Sequence, residues 1–266
     1  MNVLAMEHLW RLLTENRSSF TVYVVVPAVA VTLACVLGSA AALSLDLFPS
    51  LRKYKIQERW NDGPTVWRCV RRVLLSKLLC EVPMIAAGYP MFLWLGIRKE
   101  TPLPGAGTVL ATLAVALVIE DAWHYFAHRS LHTRWAYNKI HYLHHEFTTP
   151  IGVAASYAHP LETLWTGFGT VLPVLLLRPH LFTMVLWIVV KQLQAIAVHV
   201  GYDLPWRPSR FLPFLVGARF HDRHHRRFNR NYAPNFVWLD RLLGTADEKD
   251  LGPRPAGADD PVLVEE

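Results

Sequence analysis

Long apolar runs alternate with short basic or histidine-rich stretches along this chain. Residues 20–43, FTVYVVVPAVAVTLACVLGSAAAL, carry no charge and are long enough to cross a bilayer, which takes about 20 apolar residues in a helix. That run is too long for the core of a signal peptide and lacks a convincing cleavage site. The run at 73–97 is a second candidate span, interrupted by Lys77, Glu81, Pro83 and Pro90. Residues 107–123 form a third and lead straight into a histidine stripe. From 164 to 177 the chain is apolar again, Arg178-Pro179-His180 makes a turn, and 181–198 is apolar. Neither half of this last pair is comfortably long, so it reads as a tight hairpin, tilted or partly re-entrant. The pattern predicts an all-α polytopic membrane protein with about four transmembrane helices. It divides into an N-terminal membrane region (1–105), a histidine-bearing region (106–246) and a Pro-, Gly- and acid-rich tail (247–266) expected to be disordered.

The polar positions that break this pattern are mostly histidines. His124, His128 and His132 stand four apart. His141, His144 and His145 follow after a gap of eight residues, and His221, His224 and His225 repeat their HxxHH spacing. At 3.6 residues per turn, positions i, i+3 and i+4 share a face, and i+8 drifts about 80° from i. The spacing therefore predicts one stripe and two points of convergence on helices. A lone histidine on an apolar helix is usually structural, but here six of the 22 residues from 124 to 145 are histidine. Neutral imidazole is the commonest metal ligand and suits iron, zinc, copper and nickel. Three clusters supply more ligands than one tetrahedral ion needs, and they read as a site for two metals.

Composition agrees with the membrane assignment. The chain is 52% hydrophobic and 18% charged, against about 25% charged in soluble proteins. Ten Trp and nine Tyr suit an interfacial aromatic belt. With these apolar runs, a net charge of +6 points to cytosolic loops beside anionic lipid rather than to a nucleic-acid partner. Cys35, Cys69 and Cys80 have no zinc spacing and read as structural. The basic loop at 52–72 is expected in the cytosol. Alternating spans then put 98–106 in the lumen and return all three histidine clusters to the cytosolic side, together with Arg-rich 207–230. Histidines facing lipid are costly, so the clusters are expected at or just beyond that surface, placed to act on a lipid whose body lies in the membrane.

Ligand types and spacing leave the chemistry open. Open positions on an imidazole-bound metal suit dioxygen activation, and a metal-bound water suits hydrolysis. Glu146 and Asp222, beside the clusters, read as partners that orient ligand rings. His8 and His180 read as surface residues.

The stretches HRSLH (128–132), HYLHH (141–145) and HDRHH (221–225) resemble the three histidine boxes of the membrane fatty acid hydroxylase and sterol desaturase superfamily. The flanks DAWHYFAHRSLH, KIHYLHHEF, YAHPLET, VHVGYDLP, NYAPNF and WLDRLLGT, with a weaker echo at KYKIQ (53–57), are most similar to its C4-methylsterol monooxygenases. The resemblance covers roughly 115–245 and makes 106–246 a fatty acid hydroxylase-type catalytic region. It implies a di-iron monooxygenase of the endoplasmic reticulum that oxidises the C4-methyl group of a sterol, using O2 and electrons from NAD(P)H relayed by cytochrome b5 and its reductase. Zinc can replace iron in a purified sample, because imidazole binds both. It also implies ligands outside the boxes, with His124 and His199 as candidates, making ten; His159 is left open. Ala155, Gln194 and Ala197 stand where the sterol-oxidase pattern carries acidic residues, which leaves the metal site intact and the exact substrate open. A hydroxylase or desaturase acting on another sterol position or an acyl chain is the alternative. A metal-binding or transport protein is a more distant one, since transporters place such ligands within their spans.

Overall fold

The computed structural model describes residues 3–247, and among these it contains helices and no strand. The expected disordered tail lies outside the described residues apart from Asp247. Helix α1 spans Val3–Thr14. The first span runs Thr21–Leu47, with α2, Val26–Ser44, as its main part. The second begins earlier than its hydrophobicity suggests. Asp62 accepts a hydrogen bond from Thr65 N at 2.8 Å and Pro64 occupies the first turn, so α3 starts at Gly63 and runs to Ser76. The helical path continues through a π turn at Lys77–Glu81 into α4, Val82–Ala87, and α5, Tyr89–Trp94. Half of the expected basic loop is thus helix. The cap and the proline that start it outweigh the absence of an apolar run.

Helix α6, Ala106–Leu131, carries the third span into the first histidine stripe, and α7, Arg134–Lys139, turns away from it. The hairpin arms are α8, Pro160–Leu177, and α9, Leu181–Val198. Each has 18 residues, about 27 Å at 1.5 Å per residue, and each is apolar enough to cross a membrane. Among the described residues five helices meet that standard, in rough agreement with the four expected. His180 sits in the hairpin turn and is 7% exposed rather than at the surface. Its Nδ1 accepts from Phe182 N and its Nε2 donates to Glu100 O, so it caps α9 and ties the turn to residues 98–100. Three short helices close the chain: α10, Pro208–Phe211, α11, Ala218–Arg227, and α12, Trp238–Leu242.

The bundle has two distinct ends. At one, Trp10 Nε1 donates to Lys99 O and Leu181 N to Arg98 O, joining α1, the turn after α5 and the hairpin bend. At the other, the C-terminal ends of α6 and α9, the N-terminal end of α8, and α11 come together. Two lysines inside the spans are paired. Lys77 Nζ lies 2.7 Å from Glu81 Oε2 and 2.6 Å from Gln192 Oε1. Lys191 Nζ lies 2.8 Å from Glu120 Oε2. Such pairing is what a low-dielectric interior demands of ionisable groups.

Helices α6 and α8 touch at Gly169, where an added Cβ would lie 2.8 Å from Trp123 Cδ1, whereas one at Gly167 would meet nothing within 4 Å. Gly169→Ala should lower stability by about 1–3 kcal/mol, and Gly167→Ala should not lower it. Thermal unfolding in detergent compares the two; equal melting temperatures would deny the close contact.

Candidate metal centre

The bundle end with the histidines is built from four segments. His128 lies in the last turns of α6 and His132 caps it. His141, His144 and His145 lie on a 3-10 turn, His141–Glu146, not on the α-helix that their spacing suggests. His199 follows the last residue of α9, and His221, His224 and His225 lie on α11.

These nine rings form two groups, His128, His132, His141, His145 and His224 in one, and His144, His199, His221 and His225 in the other. Each HxxHH box is divided rather than convergent. Its first and last histidines enter one group and its middle one enters the other, crosswise between the boxes. On α11, an α-helix, His221 and His225 stand about 40° apart, while His224 falls about 60° to the other side. Two boxes facing each other can therefore fill two sites at once.

The Nε2 atoms do the converging. In the first group His141 lies 3.0 Å from His132 and 3.1 Å from both His128 and His145, and His145 lies 3.2 Å from His224. In the second, His199 lies 3.2 Å from His144 and 2.9 Å from His221, which lies 3.2 Å from His225. The Nδ1 atoms fix the tautomer of four rings and show that the His144–His199 contact is not a hydrogen bond. His128 Nδ1 bonds Tyr232 O, His144 Nδ1 bonds Tyr157 O, His199 Nδ1 bonds Ala195 O and His224 Nδ1 bonds Arg230 O, at 2.7–3.2 Å. A carbonyl only accepts, so each neutral ring keeps its proton on Nδ1 and presents a lone pair at Nε2. His144 and His199 thus aim two lone pairs at each other.

Burial keeps the rings neutral. It is the main cause that holds His144 at about 4 and His132 and His199 at about 3; neighbouring imidazoles lower them further. His141, His145, His221, His224 and His225 are pushed well below the ordinary value by burial first and by each other second. Facing lone pairs repel unless a cation lies between them. Imidazole binds such ions at about 2.0–2.1 Å, which puts neighbouring ligands about 3.0–3.4 Å apart. The donor set fits one metal ion in each group.

The other expected residues fall elsewhere. His124 joins neither group; its Nδ1 lies 3.2 Å from Glu120 Oε1. His159 caps α8, accepting from Leu161 N at 3.2 Å. Glu146 accepts from the Tyr157 hydroxyl, and Asp222 bonds Gln57 and Arg226 rather than a ligand ring. The carboxylate that does meet a ring is Glu162, with Oε1 2.9 Å from His141 Nδ1 and both side chains sealed from solvent. An acid in the first turn of an otherwise apolar helix was its signal in the sequence. Two further acids hold the loop whose carbonyls orient His128 and His224. Asp240 accepts from Tyr232 N and Ala233 N, and Asp121 accepts from Asn235 N, Phe236 N and Trp238 Nε1.

Residues 113–245, which contain all nine rings, match the fatty acid hydroxylase family. The chain belongs to that family. Among relatives of the family, a very-long-chain aldehyde decarbonylase of Oryza sativa subsp. indica, GL1-11, is 38% identical over 91% of this chain and 92% of its own. Methylsterol monooxygenase 2-2 of Arabidopsis thaliana is 41% identical over 73% of this chain and 74% of its own. Methylsterol monooxygenase erg25B of Aspergillus fumigatus is 42% identical over 76% and 70%. No solved structure matches.

Glu162→Gln keeps the volume and replaces the carboxyl group that meets His141 Nδ1 with an amide. It should weaken metal binding about 10–100-fold, as loss of a ligand-orienting partner does. Competition with a chelator measures this, and unchanged affinity would remove Glu162 from that role.

Proposed function

We propose that this chain is a membrane sterol oxidase that acts on the C4-methyl group of a 4-methylsterol. Two irons held by the nine histidines, O2, and electrons from NAD(P)H through cytochrome b5 and its reductase complete the reaction. The observation that carries the reading is a pair of imidazole groups at one end of an apolar helix bundle, in a chain about 40% identical to methylsterol monooxygenases over most of its length. In each turnover a C–H bond becomes C–OH, the second oxygen atom leaves as water, and two electrons and two protons are consumed. Iron supplies the binding and reduction of O2. The protein's own residues do the rest. The carbonyls of Tyr157, Ala195, Tyr232 and Arg230 aim the rings, Glu162 holds His141, and the sealed interior excludes water.

The expected orientation also has support. The bridge between Lys55 and Tyr202 brings the basic stretch after the first span to the histidine end, where Arg207, Arg210, Arg226, Arg227 and Arg230 also belong. Basic loops favour the cytosol, which would place the site on the cytosolic face of the endoplasmic reticulum. The decarbonylase relative, whose similarity covers more of the chain, favours a second reading in which the substrate is a long-chain aldehyde.

Expression in cells that lack sterol C4-demethylation tests both. The proposal expects 4-methylsterols to fall and 4-demethylated sterols to rise. Unchanged sterols with altered long-chain aldehydes would overturn it in favour of the second reading.

A further inference from the structure

His124 lies on α6 one turn before His128 and on the same face as Glu120 and His128. That face is shut at Glu120 and His128, which are 1% and 3% exposed, but the His124 side chain between them is 27% exposed. The packing therefore has a gap at His124. The gap is next to the metal centre. The His124 and His128 rings are 5.7 Å apart, and His124 contributes to the lowered values of His144 and His199 after their burial.

The ring is held from behind. Nδ1 lies 3.2 Å from Glu120 Oε1, and the other oxygen of Glu120 is fixed by Lys191 at 2.8 Å and by Asn235 Nδ2 at 2.6 Å. Nε2 has no hydrogen-bond partner among the described residues. A ring clamped at one nitrogen, with the other bare in a gap beside the metals, is built to meet a polar group of something that enters the gap.

We infer that His124 is not a metal ligand but the residue that receives the substrate's hydroxyl group at Nε2. This rests on the sterol reading and specifies it. A sterol carries its ring hydroxyl on the carbon next to C4, so the group that binds it must stand within a few ångströms of the metal centre at which the C4-methyl would be oxidised. One helical turn, about 5.4 Å, is that separation. A hydroxyl both donates and accepts, so it pairs with Nε2 in either protonation state of the ring. The contact would set which methyl group faces the metals and favour a hydroxylated lipid over a plain hydrocarbon.

The test uses His124→Asn and His124→Gln in the full-length, iron-loaded protein. Asparagine reproduces the Nδ1 position and keeps the Glu120 contact but does not reach the gap; glutamine reaches it. Binding is measured for a 4-methylsterol and for the same sterol with hydrogen in place of the hydroxyl, alongside iron per chain and melting temperature. The expected result is unchanged iron in both variants. Affinity of the Asn variant for the hydroxylated sterol should fall roughly tenfold, with no change for the deoxy compound and substantial recovery in the Gln variant. Loss of iron in the Asn variant would return His124 to the ligands and overturn the inference. So would an Asn variant that still prefers the hydroxylated sterol, or a wild type that binds the two sterols equally; each leaves the sterol reading standing. A wild type that binds neither sterol would overturn that reading, and the inference with it.

Discussion

Nine imidazoles, eight of them buried, crowded together at their Nε2 atoms constitute the constraint on which the rest of this protein depends. Where both tautomers are fixed, as at His144 and His199 with Nε2 atoms 3.2 Å apart, the facing lone pairs repel, and burial prevents relief by protonation. Only cations make the arrangement favourable. Much of the remaining polar structure then has a purpose: backbone carbonyls fix the tautomers, Glu162 meets His141, and Asp121 and Asp240 pin the loop that carries two of those carbonyls.

The membrane bundle supplies the rigid frame. The five helices bring the ends of α6, α8 and α9 to one level, and α11 lies against them with its box facing the 3-10 turn. Side chains that would be costly in lipid are neutralised in pairs, Lys77 with Glu81 and Lys191 with Glu120. The second pair also anchors the C-terminal loop through Asn235, so a device that pays for buried charge doubles as support for the metal centre.

Much of this was legible in the sequence because histidines are rare and their spacing is regular. The membrane character and the helical class follow from it; of the ten expected rings, nine lie in the two groups and His124 lies outside them. What was not legible required three dimensions. HYLHH has the spacing of an α-helix but adopts a 3-10 turn, and the crosswise division of the boxes depends on how the two segments face each other. His124 shares the period of His128 and His132 yet meets a carboxylate, because Glu120 sits one turn behind it. Glu162 stood in a noticed motif, but only the approach of α8 to His141 gives it a partner. The start of α3 was hidden because a cap and a proline, not hydrophobicity, set it.

Elemental analysis of the purified, folded protein addresses the central claim most directly. Two transition-metal ions per chain are predicted, with stripping of both causing a marked loss of thermal stability as the facing lone pairs lose their cations. A well-folded protein with fewer than two metals, whose melting temperature is unmoved by chelation, would contradict the account.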